Sequence, residues 1–121
     1  MKYFSYLLIV IPFLFTGTPV VEWQGAMEHD FGDLERDKPV DHYFKFKNVS
    51  GEPITIDNVR TTCGCTAPDW SFEPVMADSL SQLKITYDAH RTGYFRKKIK
   101  VFFNSQRKAE ILYVEGYVLE E

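Results

Sequence analysis

The sequence contains few of the features that mark a catalytic or nucleic-acid-binding protein. Its 121 residues include only two cysteines and three histidines, and they contain no Ser-His-Asp order, no phosphate-binding glycine loop and no paired-carboxylate signature. The formal net charge of −3 is small, so it gives no reason to expect a nucleic-acid partner. No internal repeat, low-complexity tract or long linker divides the chain. The sequence therefore favours one small domain and offers no support for an enzyme.

The longest apolar run lies near the N-terminus, behind Lys2. Only a serine and a proline interrupt residues 3–15, which are otherwise apolar or aromatic. A membrane-spanning helix needs about 20 residues and tolerates proline poorly, so this run predicts an export signal. Small residues follow at positions 16–18 without an A-x-A cleavage pattern, which leaves an uncleaved N-terminal anchor open. We therefore expect residues 1–22 to be a signal peptide or anchor, and the protein to be exported to the periplasm or cell envelope.

The rest of the chain, residues 23–121, has the length and pattern of a single β-domain. About 100 residues suffice for one core, and aromatic residues, which make up 16% of the chain, can fill it. Apolar and polar residues alternate with a period of two, as in strands with one buried face. The predicted strands cover residues 27–31, 40–47, 54–59, 83–87, 94–103 and 110–119. Short strands with turns at this spacing predict an all-β, two-sheet sandwich.

The same alternation assigns buried and exposed faces within this sandwich. On the third predicted strand, Asn58 falls on the face of Ile54 and Ile56, and Val59 falls on the opposite face. Residues 71–79 have no clear period and include a proline. We therefore expect that segment to be a loop that crosses from one sheet to the other.

Cys63-Gly64-Cys65 is the strongest chemical signal in the sequence. Residues i and i+2 of an extended strand project from one face with Cα atoms about 6.6 Å apart, so a disulfide requires a bend, which Gly64 permits. A bridge formed under that constraint exchanges more readily than a structural disulfide. Three roles stay open: a structural role, as buried thiols or an inert bridge; a thiol redox role; and soft-metal binding, with copper as the metal.

Among these roles we expect buried, unreactive thiols. A reactive thiol needs a nearby cation to stabilise the thiolate, and Thr61, Thr62 and Thr66 supply none. Arg60 alternates to the face opposite Cys63. The sequence therefore predicts that alkylating reagents do not reach the native cysteines.

The three histidines are the other candidate metal ligands. His29, His42 and His90 could join the cysteines around a soft metal, but their spacing fits no zinc pattern. His42 falls on an inward face, where we expect a core histidine. Trp70 follows the cysteine pair beside a predicted strand, and we expect it to pack into the core.

Several of these segments together resemble the DUF1573 family of bacterial exported domains. The resemblance spans about residues 31–118, and its most specific part is Cys63-Gly64-Cys65-Thr66 followed by Trp70. The other matching positions are Phe31-Gly32, residues 43–48, residues 54–59, and Gly93 with Phe95, Lys97, Ile99 and Val101. The resemblance implies an antiparallel immunoglobulin-like sandwich in the style of PapD and major-sperm-protein domains, and it implies no activity. Ala77-Asp78-Ser79 stands where relatives often carry a glycine turn.

Acidic and basic residues are segregated along the chain. Seven of the fourteen lysine and arginine residues fall within residues 91–108, whereas residues 22–41 hold seven acidic residues and two basic ones. Arg96, Lys98 and Lys100 alternate to the outward face of one predicted strand. These cations form either a solvated face that discourages edge-to-edge pairing or a surface for an anionic envelope partner.

The function that the sequence favours is a non-enzymatic interaction or scaffold module. We expect it to bind another envelope protein through sheet edges or loops, with no cofactor and no nucleic acid. Membrane contact is expected only through an uncleaved N-terminal segment. The alternatives are a thiol redox protein and a copper or other soft-metal carrier, both acting through Cys63 and Cys65.

Overall fold

Eight β-strands make up the fold in a computed structural model that describes residues 19–120. They are β1 (Val21–Trp23), β2 (Glu28–Leu34), β3 (Val40–Asn48), β4 (Ile56–Thr61), β5 (Thr66–Asp69), β6 (Leu80–Tyr87), β7 (Gly93–Phe103) and β8 (Glu110–Val118). The apolar run of the predicted signal or anchor lies outside the described residues, and β1 begins two residues before the predicted start of the domain at position 23. Within residues 19–120 there is no helix long and apolar enough to cross a membrane.

The strands form two four-stranded sheets that share one core. Sheet 1 has the order β1-β3-β6-β5, and sheet 2 has the order β2-β8-β7-β4. This arrangement confirms the predicted all-β, immunoglobulin-like sandwich. One detail differs, because β2 runs parallel to β8 while the other neighbouring strands are antiparallel. Since most of the domain separates β2 from β8 along the chain, no hairpin dictates their relative direction.

Alternate residues from both sheets fill the space between them. The fully buried apolar side chains include Phe46, Ile54, Leu83, Ile85, Ile99, Val101, Leu112, Val114 and Val118. On β3, β6, β7 and β8 the buried positions are the ones that the alternation predicts. These are the longest strands, so the period of two has enough residues to be read without error.

The predicted facing of β4 is wrong beyond Ile56. Ile56 is buried as expected, but the next buried residue is Val59, and Asn58 is exposed. From Ile56 to Asn58 the pairing advances two residues on β4 and only one on β7, so Asp57 is an extra residue. A β-bulge of this kind moves every following side chain to the other face of the sheet. It therefore places Arg60 on the outer face of sheet 2.

The chain crosses between the sheets at a different place from the predicted one. Residues 71–79 connect β5 to β6, which are neighbours in sheet 1, so this segment is not a crossing loop. In this part of the chain the crossing lies earlier, at residues 62–65, between the end of β4 in sheet 2 and the start of β5 in sheet 1. In the loop before β6, Asp78 has a φ of 63°. Aspartate is among the residues that tolerate this left-handed conformation, so the turn at Ala77-Asp78-Ser79 forms without a glycine.

Candidate functional site

The two cysteines lie in the turn that carries the chain from β4 to β5, and a disulfide joins them. We call residues 62–65 the cysteine turn. The Cα atoms of Cys63 and Cys65 are 5.2 Å apart, less than the about 6.6 Å of an extended strand. Our expectation of buried free thiols is therefore wrong. The strand ends at Thr61, and the turn brings together two half-exposed sulfurs.

Gly64 separates the two cysteines, but the backbone does not require glycine there. Gly64 is not among the described glycines with positive φ, in contrast to Gly25, Gly51 and Gly93. Apart from the two neighbouring cysteines, a Cβ atom at Gly64 would meet no atom within 4 Å. We had expected the bend to depend on the special freedom of glycine, and it does not. A side chain at position 64 would therefore meet no other part of the described fold at its Cβ.

Three hydrogen-bond donors hold the cysteine turn independently of the disulfide. The single hydroxyl proton of Thr61 is shared between Cys63 O at 3.1 Å and Thr66 O at 3.3 Å. The backbone N–H of Thr66 donates to Cys63 O at 3.3 Å, and that of Asp88 donates to Cys65 O at 3.0 Å. These bonds involve backbone carbonyls and no sulfur atom. The shape of the turn is therefore set by its neighbours in β4, β5 and the segment after β6.

The two sulfurs have different surroundings. Cys65 packs against the hydrophobic core, and its Sγ lies 3.8 Å from the hydroxyl of Thr66. Cys63 Sγ accepts a hydrogen bond from the Cys65 N–H at 3.1 Å. The guanidinium of Arg60 lies over the Phe102 ring on the outer face of sheet 2, 5.5 Å from its centroid. The polar groups found beside the sulfurs are thus a backbone N–H and a hydroxyl.

The copper alternative needs thiolates, and the bridged form has none to offer. A disulfide sulfur is a poor ligand, so Cys63 and Cys65 would have to be reduced before they bound a soft metal. No group of three or more histidine, cysteine, aspartate or glutamate side chains comes together in a metal-binding arrangement within residues 19–120. The described part of the chain therefore provides no further side chains to complete a metal site with the two sulfurs.

The ring contacts of the three histidines are with residues outside the cysteine turn. His29 of β2 and His42 of β3 stack across the two sheets, with ring centroids 3.7 Å apart and planes 9° apart. Burial, followed by the charge of His29, lowers the pKa of His42 below its ordinary value. A cavity of about 270 Å³ adjoins this pair. His90 is elsewhere, with its Nδ1 2.8 Å from an Asp37 carboxylate oxygen. His42 faces inward as predicted, although it is only half buried.

Arg96, one of the three predicted partner-surface cations, already has partners within the chain. Its guanidinium lies 2.6 Å from a Glu28 oxygen and 3.3 Å from a Glu115 oxygen. It also covers the Tyr113 ring at 4.1 Å from the centroid. Two carboxylates therefore compensate its charge, and Arg96 contributes little to a surface for an anionic partner.

The other two predicted cations lie beside a third that the sequence did not reveal. Lys98 and Lys100 are on the outer face of β7, and Lys100 is directly opposite Arg60 of β4. Within residues 19–120, no carboxylate forms an ion pair with any of these three side chains. We call Arg60, Lys98 and Lys100 the basic row. The sequence did not predict that Arg60 lies on this outer face, because the face is set by the bulge at Asp57.

Trp70 lies just after β5, at the side of the sandwich where β5 and β4 are adjacent. Its indole N–H donates to Ile56 O at 3.2 Å, and the half-buried ring packs against the core, as predicted. Phe72 lies against this ring with centroids 5.3 Å apart, and it is 74% exposed. Trp70 therefore anchors the end of β5 to β4.

The sandwich resembles solved structures of low sequence identity. It aligns with a protein of unknown function from Porphyromonas gingivalis at 16% identity and a TM-score of 0.68, covering 81% of this chain and 46% of that one. It aligns with PapD-like domain 7 of human CEP192 at 12% identity and a TM-score of 0.75, covering 99% of both chains. WR4, a C. elegans major-sperm-protein family member, aligns at 8% identity and a TM-score of 0.54, over 84% of this chain and all of that one. At these identities the likeness is one of fold.

Comparison of the sequence with known families leads to one assignment. The chain spans about half of the length of the Porphyromonas gingivalis protein, and no curated protein matches its sequence. A family model described as "Protein of unknown function (DUF1573)" matches residues 21–118, which include all eight strands, the cysteine turn and the basic row. The chain belongs to the DUF1573 family.

Proposed function

We propose that this chain is a non-enzymatic interaction module of the bacterial cell envelope, and that it binds an acidic partner protein. The binding surface is the basic row on the outer face of sheet 2. The immunoglobulin-like fold supports a non-enzymatic role, since apolar side chains fill its core and residues 19–120 hold no group of three histidine, cysteine, aspartate or glutamate side chains placed to bind a metal. Recognition then depends on the outer surfaces of the sheets.

The observation that carries this proposal is the direct opposition of Arg60 and Lys100. Like charges on opposite residues of neighbouring strands destabilise a sheet. Lys98 adds a third positive charge on the same face, and the described part of the chain supplies no carboxylate to compensate it. An anionic partner removes this repulsion when it binds. The arrangement therefore favours the bound state over the free one.

The limited size of the basic row favours a protein over an extended polyanion. Towards β2, the outer face of sheet 2 carries Glu28, which pairs with Arg96, and the exposed Asp30. A nucleic acid or a long acidic polysaccharide laid across the sheet would meet these carboxylates. A short acidic patch on a protein can contact three cations without reaching β2. The net charge of −3 also disfavours general polyanion binding.

The envelope location in this proposal rests on the N-terminal sequence. Residues 1–22 have the lysine and the apolar run of an export signal. The joined cysteines support the same location, because disulfides persist in oxidising compartments such as the periplasm.

Photo-crosslinking in intact cells tests the proposal. Ile111 is directly opposite Lys100 in the ladder between β7 and β8, so a photoreactive residue at Ile111 lies beside the basic row. We expect a protease-sensitive adduct of discrete mass from this position. Replacement of all three residues of the basic row by glutamate should abolish the adduct.

The matched control changes the net charge equally at other places. Replacement of Lys45, Lys47 and Arg91 by glutamate should preserve the adduct, because Lys45 and Lys47 lie on β3 of sheet 1 and Arg91 precedes the first residue of β7. A photoreactive residue at Ala67, which is exposed on β5 of sheet 1, should give none. An adduct that survives charge reversal, resists protease or forms equally from Ala67 contradicts the proposal. The absence of any adduct from Ile111 contradicts it as well.

A further inference from the structure

We propose that the Cys63–Cys65 disulfide exchanges with dithiols of a protein or peptide substrate, and that Cys63 is the sulfur that the substrate attacks. This activity belongs to the cysteine turn and makes no use of the basic row, so it goes beyond the binding role. It rests on the unequal access to the two sulfurs, on the hydrogen-bond donors beside them and on the bonds that hold the turn.

Access to the two sulfurs is unequal. Cys65 packs against the hydrophobic core, whereas Cys63 lies outside that packing. Gly64 between them is exposed, and apart from the two cysteines no atom lies within 4 Å of the position of its missing Cβ. An incoming thiolate can therefore reach Cys63 from the side that faces away from the core and from Cys65. Exchange requires attack on one sulfur while the other leaves, so this geometry selects Cys63 as the attacked sulfur and Cys65 as the leaving one.

Hydrogen-bond donors lie beside both sulfurs. The Cys65 N–H donates to Cys63 Sγ at 3.1 Å, and the Thr66 hydroxyl is 3.8 Å from Cys65 Sγ. A hydrogen bond to a thiolate stabilises it relative to the thiol and makes it a better leaving group. From the sequence we had expected a thiolate to need a nearby cation. In the structure the backbone N–H of Cys65 is placed to stabilise a thiolate at Cys63 instead.

The reaction transfers two electrons from the substrate to the disulfide. A substrate thiolate attacks Cys63 Sγ, a bond forms between those two sulfurs, and the Cys63–Cys65 bond breaks with its electron pair going to Cys65. The second substrate thiolate then attacks the first substrate sulfur and displaces Cys63 as a thiolate. The substrate dithiol becomes a disulfide, and Cys63 and Cys65 take up the two protons that the substrate thiols lost. No other oxidant takes part in these steps.

The turn keeps its shape when the bridge opens. The bonds from Thr61, Thr66 and Asp88 to carbonyls of the turn do not involve sulfur, so reduction leaves them in place. The bridge closes a loop of only three residues, for which the loss of unfolded-state entropy is small. The fold therefore does not need the disulfide, and the two sulfurs stay close enough to form it again.

Reduction of the purified full-length protein is the first test. We expect reduced glutathione to open the bridge, seen as two additional alkylated thiols in the intact mass, while near-ultraviolet circular dichroism stays native. Structural disulfides resist the glutathione pool. A bridge that opens only when urea unfolds the protein would overturn the proposal.

Single-cysteine variants test which sulfur reacts. With a chromogenic aromatic disulfide as the probe, the Cys63 thiol of Cys65→Ser should react at least about tenfold faster than the Cys65 thiol of Cys63→Ser. Its rate should rise with a pH midpoint below the about 8.5 of a free cysteine. Equal rates, or a faster Cys65, would overturn the assignment of Cys63 as the attacked sulfur.

The substrate class and the approach path have their own tests. The wild-type protein should oxidise a synthetic peptide that carries two thiols, with protein thiols appearing in equal amount. Cys65→Ser, which has no bridge, should leave the reduced peptide unchanged and should form a mixed disulfide through Cys63 with the oxidised form of the peptide, whose own disulfide supplies the second sulfur. Gly64→Leu should fold normally, because apart from the two cysteines no atom lies within 4 Å of the Cβ position. Its side chain, placed between the two cysteines, should slow exchange with the peptide. Unchanged exchange in Gly64→Leu, or no peptide oxidation by the wild type, would count against the proposal.

Discussion

The buried side chain of Asn48 joins the end of β3 to Val75 in the loop between β5 and β6. Its amide nitrogen donates to Val75 O at 2.9 Å and to Glu52 O at 2.6 Å. Its amide oxygen accepts from the Ser50 N–H at 2.9 Å and from the Ser50 hydroxyl at 2.7 Å. Asn48 is fully buried, so these polar atoms have no access to water as an alternative partner. One side chain thus fixes two loops at the same end of the sandwich.

Replacement of Asn48 by alanine should lower the free energy of unfolding by about 2–4 kcal/mol, because it removes four hydrogen bonds of a fully buried side chain and leaves a cavity in its place. Urea denaturation followed by tryptophan fluorescence measures this change. The control is Asn104→Ala, which removes an exposed asparagine whose side chain accepts from the Thr55 N–H at 3.0 Å. Its cost should stay below about 1 kcal/mol. Equal costs would show that burial adds nothing to the role of Asn48.

The bulge in β4 gives a second prediction. Val59→Ala should cost about 1–3 kcal/mol because Val59 is buried between the sheets, whereas the exposed Asn58→Ala should cost less than about 1 kcal/mol. Strict alternation predicts the opposite order. Urea denaturation of the two variants distinguishes these cases, and a larger loss from Asn58→Ala would place Asn58 in the core.

The long strands of this fold could be predicted from sequence because their alternation is local information. The short strand β1 could not be predicted, because the three residues Val21–Trp23 are too few to show an alternation. The bulge at Asp57 also leaves no compositional trace, because any residue type can occupy the extra position. The parallel direction of β2 and β8 depends on how the chain crosses between the sheets, which a local pattern does not encode.

The candidate site was predictable only in part, for similar reasons. The sequence placed Lys98 and Lys100 outward, but the position of Arg60 opposite Lys100 depends on the register between two strands about 40 residues apart. The partners of Arg96 come from β2 and β8, again through long-range pairing. For the cysteines, the sequence indicated the two residues and the possible bridge. Our choice of buried thiols failed because the strand ends at Thr61 before it reaches them.

The stacked histidines make the stability of the domain depend on pH. The pKa of His42 is lower in the folded state than the about 6.5 of the unfolded chain, so the unfolded chain binds more protons between these two values. The contribution of His42 is therefore fully present above about pH 6.5, and it is lost as the pH falls through the folded pKa. Urea midpoints measured from pH 7.5 to pH 5 should decrease.

Replacement of His42 by glutamine should flatten this decrease, because the group with the lowered pKa is gone. The control is His90→Gln, which removes an exposed histidine that pairs with Asp37 far from the stacked pair. In that variant the urea midpoint should still fall between pH 7.5 and pH 5, because His42 is unchanged. A steep decrease that persists in His42→Gln would assign the pH dependence to other groups.

Removal of the disulfide should have a small effect on stability. For a loop of three residues, the entropy model gives a contribution of about 1.5 kcal/mol. The double variant Cys63→Ala/Cys65→Ala should therefore lose about that much or less in urea denaturation. The hydrogen bonds from Thr61 and Asp88 maintain the turn. A loss above about 3 kcal/mol would mark the bridge as a structural element of the fold.

The basic row predicts a conflict between stability and binding at Lys100. Replacement of Lys100 by glutamate turns the repulsion with Arg60 into an attractive cross-strand pair, so the free energy of unfolding should rise by about 0.2–1 kcal/mol. The pair is exposed, so the gain should shrink in 1 M salt, where screening acts within about 3 Å. The same substitution should weaken the crosslink from Ile111, because it removes a cation from the partner surface.

In the control Lys45→Glu, the exposed lysine on β3 lies opposite the uncharged Gln82, so neither stability nor the crosslink should change appreciably. A Lys100→Glu variant that is less stable than the wild type would mean that the three cations do not repel one another, and the main argument for an anionic partner would fail.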